Sequence, residues 1–145
     1  MVVFADSSFI VSVDLPDANT GRATAFLNSR SEPLYFSSLH ALEIHNSISR
    51  GIFQKKITEA ESALTRESLD QDRQNGRLID QELNWSQILG IAISLSIQST
   101  PQNGSRSLDV LHVATAIGLG VHEIVTFDHR QAQLAQAAGL KAITP

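Results

Sequence analysis

A three-layer α/β/α domain with a small, mainly parallel central sheet is the fold this sequence predicts. Short β-branched runs alternate with amphipathic helical segments along the chain, and that alternation implies parallel strands covered by helices on both faces. The run Val2-Val3-Phe4-Ala5 is apolar at every position, as a strand buried on both faces requires. The 145 residues carry 42% hydrophobic and 18% charged side chains. That is an ordinary globular balance, with length enough for one domain, 1–145, to bury its own core.

The first strand, 2–5, stops at the polar turn Asp6-Ser7-Ser8. Phe9 to Val13 reads as a short helical turn closed by Leu15-Pro16-Asp17, and the spacing of Ala23, Phe26 and Leu27 predicts a helix over 21–29. Leu34-Tyr35-Phe36 is a second short strand. Ser37-Ser38 then caps a helix carrying Leu39, Leu42, Ile48 and Ile52, which Arg50-Gly51 weakens. Thr58 and Glu61 have capping-box spacing and open another helix, which Asn75-Gly76 stops. Residues 77–83 alternate as a strand does. A helix follows over 85–98, ended by the loop 99–104. Ser107 caps a helix over 108–119, Glu123 to Phe127 is a strand, and a helix over 130–138 ends at Gly139. Lys141-Ala142-Ile143 closes the chain as a short strand. No repeat, low-complexity tract or interdomain linker interrupts the pattern.

Composition excludes several kinds of chemistry. With no cysteine, the chain has no disulfide, thiolate nucleophile, cysteine zinc site or iron–sulfur cluster. The first residues lack the basic region and apolar run of a signal peptide. The longest nearly apolar stretch, 88–97, is broken by Gly90, Ser94 and Ser96 and is too short to span a bilayer. A soluble, cytoplasmic chain without membrane association is the expectation. The net charge of −4 argues against a coating or architectural nucleic-acid protein, whose affinity comes mostly from phosphate contacts. It leaves room for an enzyme whose acidic site meets phosphate through a divalent cation.

Four carboxylates stand where chemistry is expected. Asp6 and Asp128 directly follow strands, and ligands of open parallel sheets bind at the carboxyl ends of strands. Glu43 and Asp109 lie near the starts of helices whose neighbouring positions are apolar: Leu42 and Ile44, Val110 and Leu111. An isolated buried carboxylate is costly, and four at one sheet edge repel unless a divalent cation neutralises them. Oxygen-only donors suit Mg²⁺ or Mn²⁺. Each residue also has an ordinary reading. Asp6 and Asp128 serve equally as turn or cap residues, Glu43 as a solvated helix residue, and Asp109 as a partner of the helix dipole. Those readings would have to hold independently at all four positions.

At these residues the chain resembles a known family. Val3-Phe4-Ala5-Asp6-Ser7-Ser8, Ser38-Leu39-His40-Ala41-Leu42-Glu43, the segment 105–116 with Asp109 at its fifth position, and Val125-Thr126-Phe127-Asp128 followed by 131–140 are similar to the PIN domain, in particular its VapC-type toxin ribonucleases. The similarity runs through essentially the whole chain in order. The first motif is weak alone; the last two together are quite specific. The resemblance implies a metal-dependent endoribonuclease with Asp6, Glu43, Asp109 and Asp128 as its acidic metal-binding set. It places Ser8 and Thr126 where the family often has hydroxyl or amide side chains near the metal. Ser8 also reads as a turn serine and Thr126 as a strand threonine. It further implies an RNA substrate, a small antitoxin protein as partner, and a homodimer.

Other features are weaker. Asp109 and His112 share a helix face and leave Zn²⁺ open, against a packed core histidine. His40 and His45 lack metal spacing. No Gly-rich phosphate loop or Gly-x-Ser-x-Gly elbow occurs. Arg66, Asp70, Asp72 and Arg73 read as a solvated helix face. Two rival functions remain: a non-catalytic binding module of the same fold, and a phosphatase or phosphodiesterase for small substrates. A haloacid-dehalogenase-type phosphatase would want a second Asp where Ser8 stands.

Overall fold

The structure, a computed structural model, describes residues 2–145. Along the chain run β1 (Phe4–Ala5), α1 (Ser7–Asp14), α2 (Thr20–Asn28), β2 (Leu34–Phe36), α3 (Ser38–Phe53) and α4 (Glu59–Gln74). Then follow β3 (Leu78–Asp80), α5 (Trp85–Asn103), α6 (Ser107–Gly118), β4 (Glu123–Val125), α7 (His129–Ala137) and β5 (Lys141–Ile143). The result is a helix-rich α/β fold in which every strand pair is parallel. The expected central sheet is realised as two small sheets, ordered β1-β4-β5 and β2-β3. The chain forms two compact units.

One unit holds Ser7–Gln81. Its strands β2 and β3 pair with Leu34 opposite Leu78 and Phe36 opposite Asp80, and the ladder continues as Gln81 N–H donates to the Phe36 carbonyl at 2.7 Å. Phe9 packs edge-on against Phe26, ring centres 5.6 Å apart. Thr58 and Glu61 close the expected capping box on α4, through bonds of 3.1 and 2.6 Å. Helix α3 does not weaken at Gly51. That glycine is buried where a Cβ would stand 3.1 Å from Ile57, so it serves close packing instead of a break. The supposed solvated face on α4 is corrected at two positions. The Asp72 side chain is only 17% exposed and pairs with Arg77 at 3.5 Å, while Arg66 bonds to His45 and Ser49. Ser68 Oγ donates to Asp14 at 2.7 Å, tying α4 to α1. Burial raises the Asp14 carboxyl, and the Ser68 bond and Arg77 offset this in part.

The other unit joins Val3–Asp6 to Glu82–Pro145. Phe4 faces Ile124 and Ala5 faces Val125; Val125 in turn faces Ile143. Phe4, Ala5, Ile124 and Val125 are fully buried, as the unbroken apolar runs require. Helices α5 and α6 approach closely at Gly118, where a Cβ would lie 3.0 Å from Ile88. Helix α5 runs past Pro101 to Asn103 instead of ending at 98. Proline so near the end removes one N–H donor, and Gly104, with φ of 63°, supplies the left-handed cap. Strand β3, in the first unit, is shorter than the alternation over 77–83 suggests. No helix among the described residues is long and apolar enough to cross a membrane.

Candidate active site

Asp6 is the first residue beyond β1 and Thr126 the first beyond β4. Parallel pairing carries both to the same end of the sheet, because Asp6 N–H donates to Val125 O at 3.0 Å and Thr126 N–H to Ile143 O at 3.0 Å. Their side chains meet there: Thr126 Oγ1 donates to Asp6 Oδ2 at 2.8 Å, with Asp6 4% exposed and Thr126 fully buried. The same Thr126 oxygen accepts from Asp128 N–H at 2.9 Å. One hydroxyl therefore fixes a buried carboxylate and the turn leading to Asp128.

Asp128 is the N-cap of α7. Its Oδ1 accepts from the N–H groups of Arg130 and Gln131 at 2.8 and 3.0 Å, so its cap reading holds. Asp109 lies in the first turn of α6, half-buried, and Oδ2 accepts from Arg106 N–H at 3.4 Å. Burial raises the Asp109 carboxyl above the usual range, and the charge of Asp128 raises it further. The Arg106 N–H and the charges of His112 and Arg106 act in the opposite sense. A carboxyl pushed up by desolvation and by a second carboxylate is a group short of cationic partners. Asp6, Asp109, Thr126 and Asp128 are thus all placed within one unit.

Glu43 and Ser8 belong to the other unit. Glu43 is half-buried on α3, one turn after the buried His40. Ser8 is exposed in the first turn of α1, and its carbonyl accepts from Ser12 Oγ at 3.0 Å. His112 takes the packing role: it is 3% exposed, edge-on to Phe4 with ring centres 6.2 Å apart. Gln131, which the sequence places in the family-like segment after Asp128, is assigned no role there. It is 2% exposed, and its Oε1 has no hydrogen-bond partner among the described residues. Asp128-x-x-Gln131 has capping-box spacing, which is a usable signal. The return bond of that box is absent because Asp128 N–H goes to Thr126 instead.

Among the described residues no three His, Asp or Glu side chains stand together as a closed metal-binding group. The donors present are carboxylate and hydroxyl oxygens. They fit Mg²⁺ or Mn²⁺, since Mg²⁺ keeps several waters and needs only one or two protein carboxylates beside substrate phosphate. The raised Asp109 carboxyl beside Asp128 is the local sign that positive charge is wanted there.

Residues 3–137 match the sequence model of the family described as the PIN domain. Among solved structures, the Sarcin-Ricin loop cleaving toxin VapC20 of Mycobacterium tuberculosis is similar with a TM-score of 0.72, 16% identity and 100% of both chains covered. FitAcB of Neisseria gonorrhoeae is similar with a TM-score of 0.69 and 19% identity over 99% of this chain and 96% of that one. VapBC2 of Rickettsia felis, solved bound to a DNA fragment from its promoter, gives a TM-score of 0.69 and 15% identity, with 100% of this chain and 99% of that one covered. No curated protein matches the chain.

Proposed function

We propose, since this chain belongs to the PIN domain family, that it is a Mg²⁺- or Mn²⁺-dependent endoribonuclease and the toxin of a two-component toxin–antitoxin pair. The observation that carries this reading is the Asp6–Thr126–Asp128 arrangement at the carboxyl end of a parallel sheet, with Asp109 raised by burial and by Asp128. Asp6, Glu43, Asp109 and Asp128 are the proposed metal-binding acids, with Ser8 and Thr126 supporting them. One family model spans both compact units, so we read them as a single functional domain.

When bound, the divalent cation supplies Lewis acidity for adding water across a phosphodiester bond. The chain's own residues supply position. Thr126 orients Asp6 through its hydroxyl, and the α7 cap fixes Asp128. Asp109, raised by burial and by the charge of Asp128, takes up a proton more readily than a solvated carboxyl. Helix α5 contains no charged residue and exposes Leu89, Ile93 and Ile97 on one face, which supports the homodimer expected of the family.

Among the similar solved structures are VapBC2 and FitAB, each bound to DNA; we read these as toxin with antitoxin, and this supports a small antitoxin as partner. An Arg from such a partner would suit the acidic site, because its planar fork binds carboxylates bidentately. Expression of the wild-type chain alone should slow growth, and Asp6→Asn should be harmless. On RNA, cleavage by activated water should leave no 2′,3′-cyclic phosphate. Cyclic ends, or a well-tolerated wild-type chain that cleaves RNA, would remove the mechanism or the toxin role respectively.

A further inference from the structure

Positive charge is unevenly distributed on this acidic chain. Two of its three lysines, Lys55 and Lys56, follow Arg50 at the end of α3, and no acidic residue occurs from Ile44 to Thr58. Three other cations are committed: Arg73 to Asp80 at 2.9 Å, Arg77 to Asp72 at 3.5 Å, Lys141 to Glu123 at 2.7 Å. Arg50, Lys55 and Lys56 enter no ion pair among the described residues.

Phe53 lies among them and is 87% exposed, the barest large apolar side chain described. A lone exposed apolar residue is ordinary; an exposed aromatic at a helix end that also carries uncommitted cations is a nucleic-acid feature. Leu42, Asn46, Arg50 and Phe53 recur at helical spacing and share the outer face of α3. Beside Arg50 is a cavity of about 400 Å³, which Ser47, Gln54, Lys56 and Asp17 also line. Asp17 is occupied locally, by Ser12 Oγ, Asn19 N–H and Thr20 Oγ1. Lys55, with φ of 56°, closes α3 in a Schellman cap: its N–H donates to the Ile52 carbonyl and that of Lys56 to the Gly51 carbonyl, both at 2.9 Å.

We propose that the C-terminal end of α3 is a docking surface for single-stranded RNA, with Phe53 stacking on an unpaired base and Arg50, Lys55 and Lys56 contacting the flanking phosphates. The inference rests on the ribonuclease reading and adds a grip that the carboxylates, which repel RNA, do not provide. Single strands are bound through aromatic faces set among cations. Glu43 and Phe53 are ten residues apart on α3, or about 15 Å, so the grip lies a few nucleotides from that acid. A two-fold contact through this face would set like charges against each other, which disfavours a second copy as its occupant.

The test is binding of a short, fluorescein-labelled, mixed-sequence single-stranded oligoribonucleotide in EDTA, where hydrolysis is suppressed. Phe53→Leu keeps an apolar side chain but removes the aromatic face; it should weaken binding about 5- to 100-fold, whereas Phe53→Trp should retain it. Lys55→Gln with Lys56→Gln should lower affinity and reduce the salt slope by about 0.7 for each phosphate that is no longer neutralised. Circular dichroism checks that these surface variants fold. Unchanged RNA binding in Phe53→Leu and in the lysine variant overturns the proposal. Mn²⁺-dependent cleavage by the wild type, measured separately, then still decides the ribonuclease reading. Loss of self-association or of antitoxin binding with RNA affinity intact overturns it in favour of protein docking. A wild type that neither binds nor cleaves RNA overturns both.

Discussion

Thr126 is a single hydroxyl on which two groups depend. Its replacement by valine keeps the shape but strips a donor from buried Asp6 and an acceptor from Asp128 N–H. Losing both bonds in the buried site should cost about 1–3 kcal/mol, read as a lower urea midpoint at unchanged slope, and should impair RNA cleavage. Thr126→Ser should retain most of both. Asp109 makes a prediction of opposite sign. Its folded carboxyl sits above the ordinary value of 3.8, so the folded state holds the proton more tightly than the unfolded chain. Stability is therefore fullest below the ordinary value and falls as pH rises through the window up to the raised one. Asp109→Asn should melt higher than wild type at neutral pH, with the gain vanishing on acidification in a pH series of melts. Asp6, Asp109 and Asp128 are legible in sequence because carboxylates after apolar strands and in the first turns of apolar helices have few cheap explanations. The Thr126 relay is not. It depends on parallel register joining residues 120 positions apart, and no local spacing encodes that.

At the scale of elements, the capping role of Asp128 and its proposed metal-binding role are separable by substitution. As N-cap of α7 it is replaceable by asparagine, which caps about as well; alanine should cost about 0.5–2 kcal/mol. Asp128→Asn should therefore unfold near the wild-type midpoint yet cleave RNA poorly, whereas Asp128→Ala should lose both. If Asp128→Asn is fully active, the residue is only a cap. Caps and turns are the most readable part of this chain: Thr58 with Glu61 opens α4, and Gly139, at φ of 85°, follows α7. Helix ends are less so. Gly51 and Pro101 look like breaks in sequence, but the first is demanded by the nearness of Ile57 and the second costs one bond at a helix end. Tertiary packing decides both, and a window of local sequence does not contain it. The division of the strands into two sheets is hidden for the same reason, since alternation reveals parallel pairing but not which strands pair.

For the whole molecule, net charge and the acidic site make one statement together. A chain of net charge −4 gains little from phosphate contacts overall, so its engagement with RNA should depend on divalent cation at the carboxylates and on the few uncommitted basic side chains of α3. The fold is readable because the levels agree: composition and alternation both point to a parallel α/β domain, and motif order resembles the family whose model covers residues 3–137. Glu43 is less legible than the acids that follow strands, because its local signal is only the apolar neighbours Leu42 and Ile44, of which Leu42 is exposed; the family's motif order strengthens its place among the proposed metal-binding acids. The central claim is that these carboxylates act by holding a divalent cation. The measurement that tests it most directly is RNA cleavage by purified wild type and Asp6→Asn, each in EDTA and again after addition of Mg²⁺ or Mn²⁺. Wild type should be inactive in EDTA and recover with metal, while folded Asp6→Asn should remain inactive in both; full wild-type activity in excess EDTA, or an Asp6→Asn variant as active as wild type, would contradict the account.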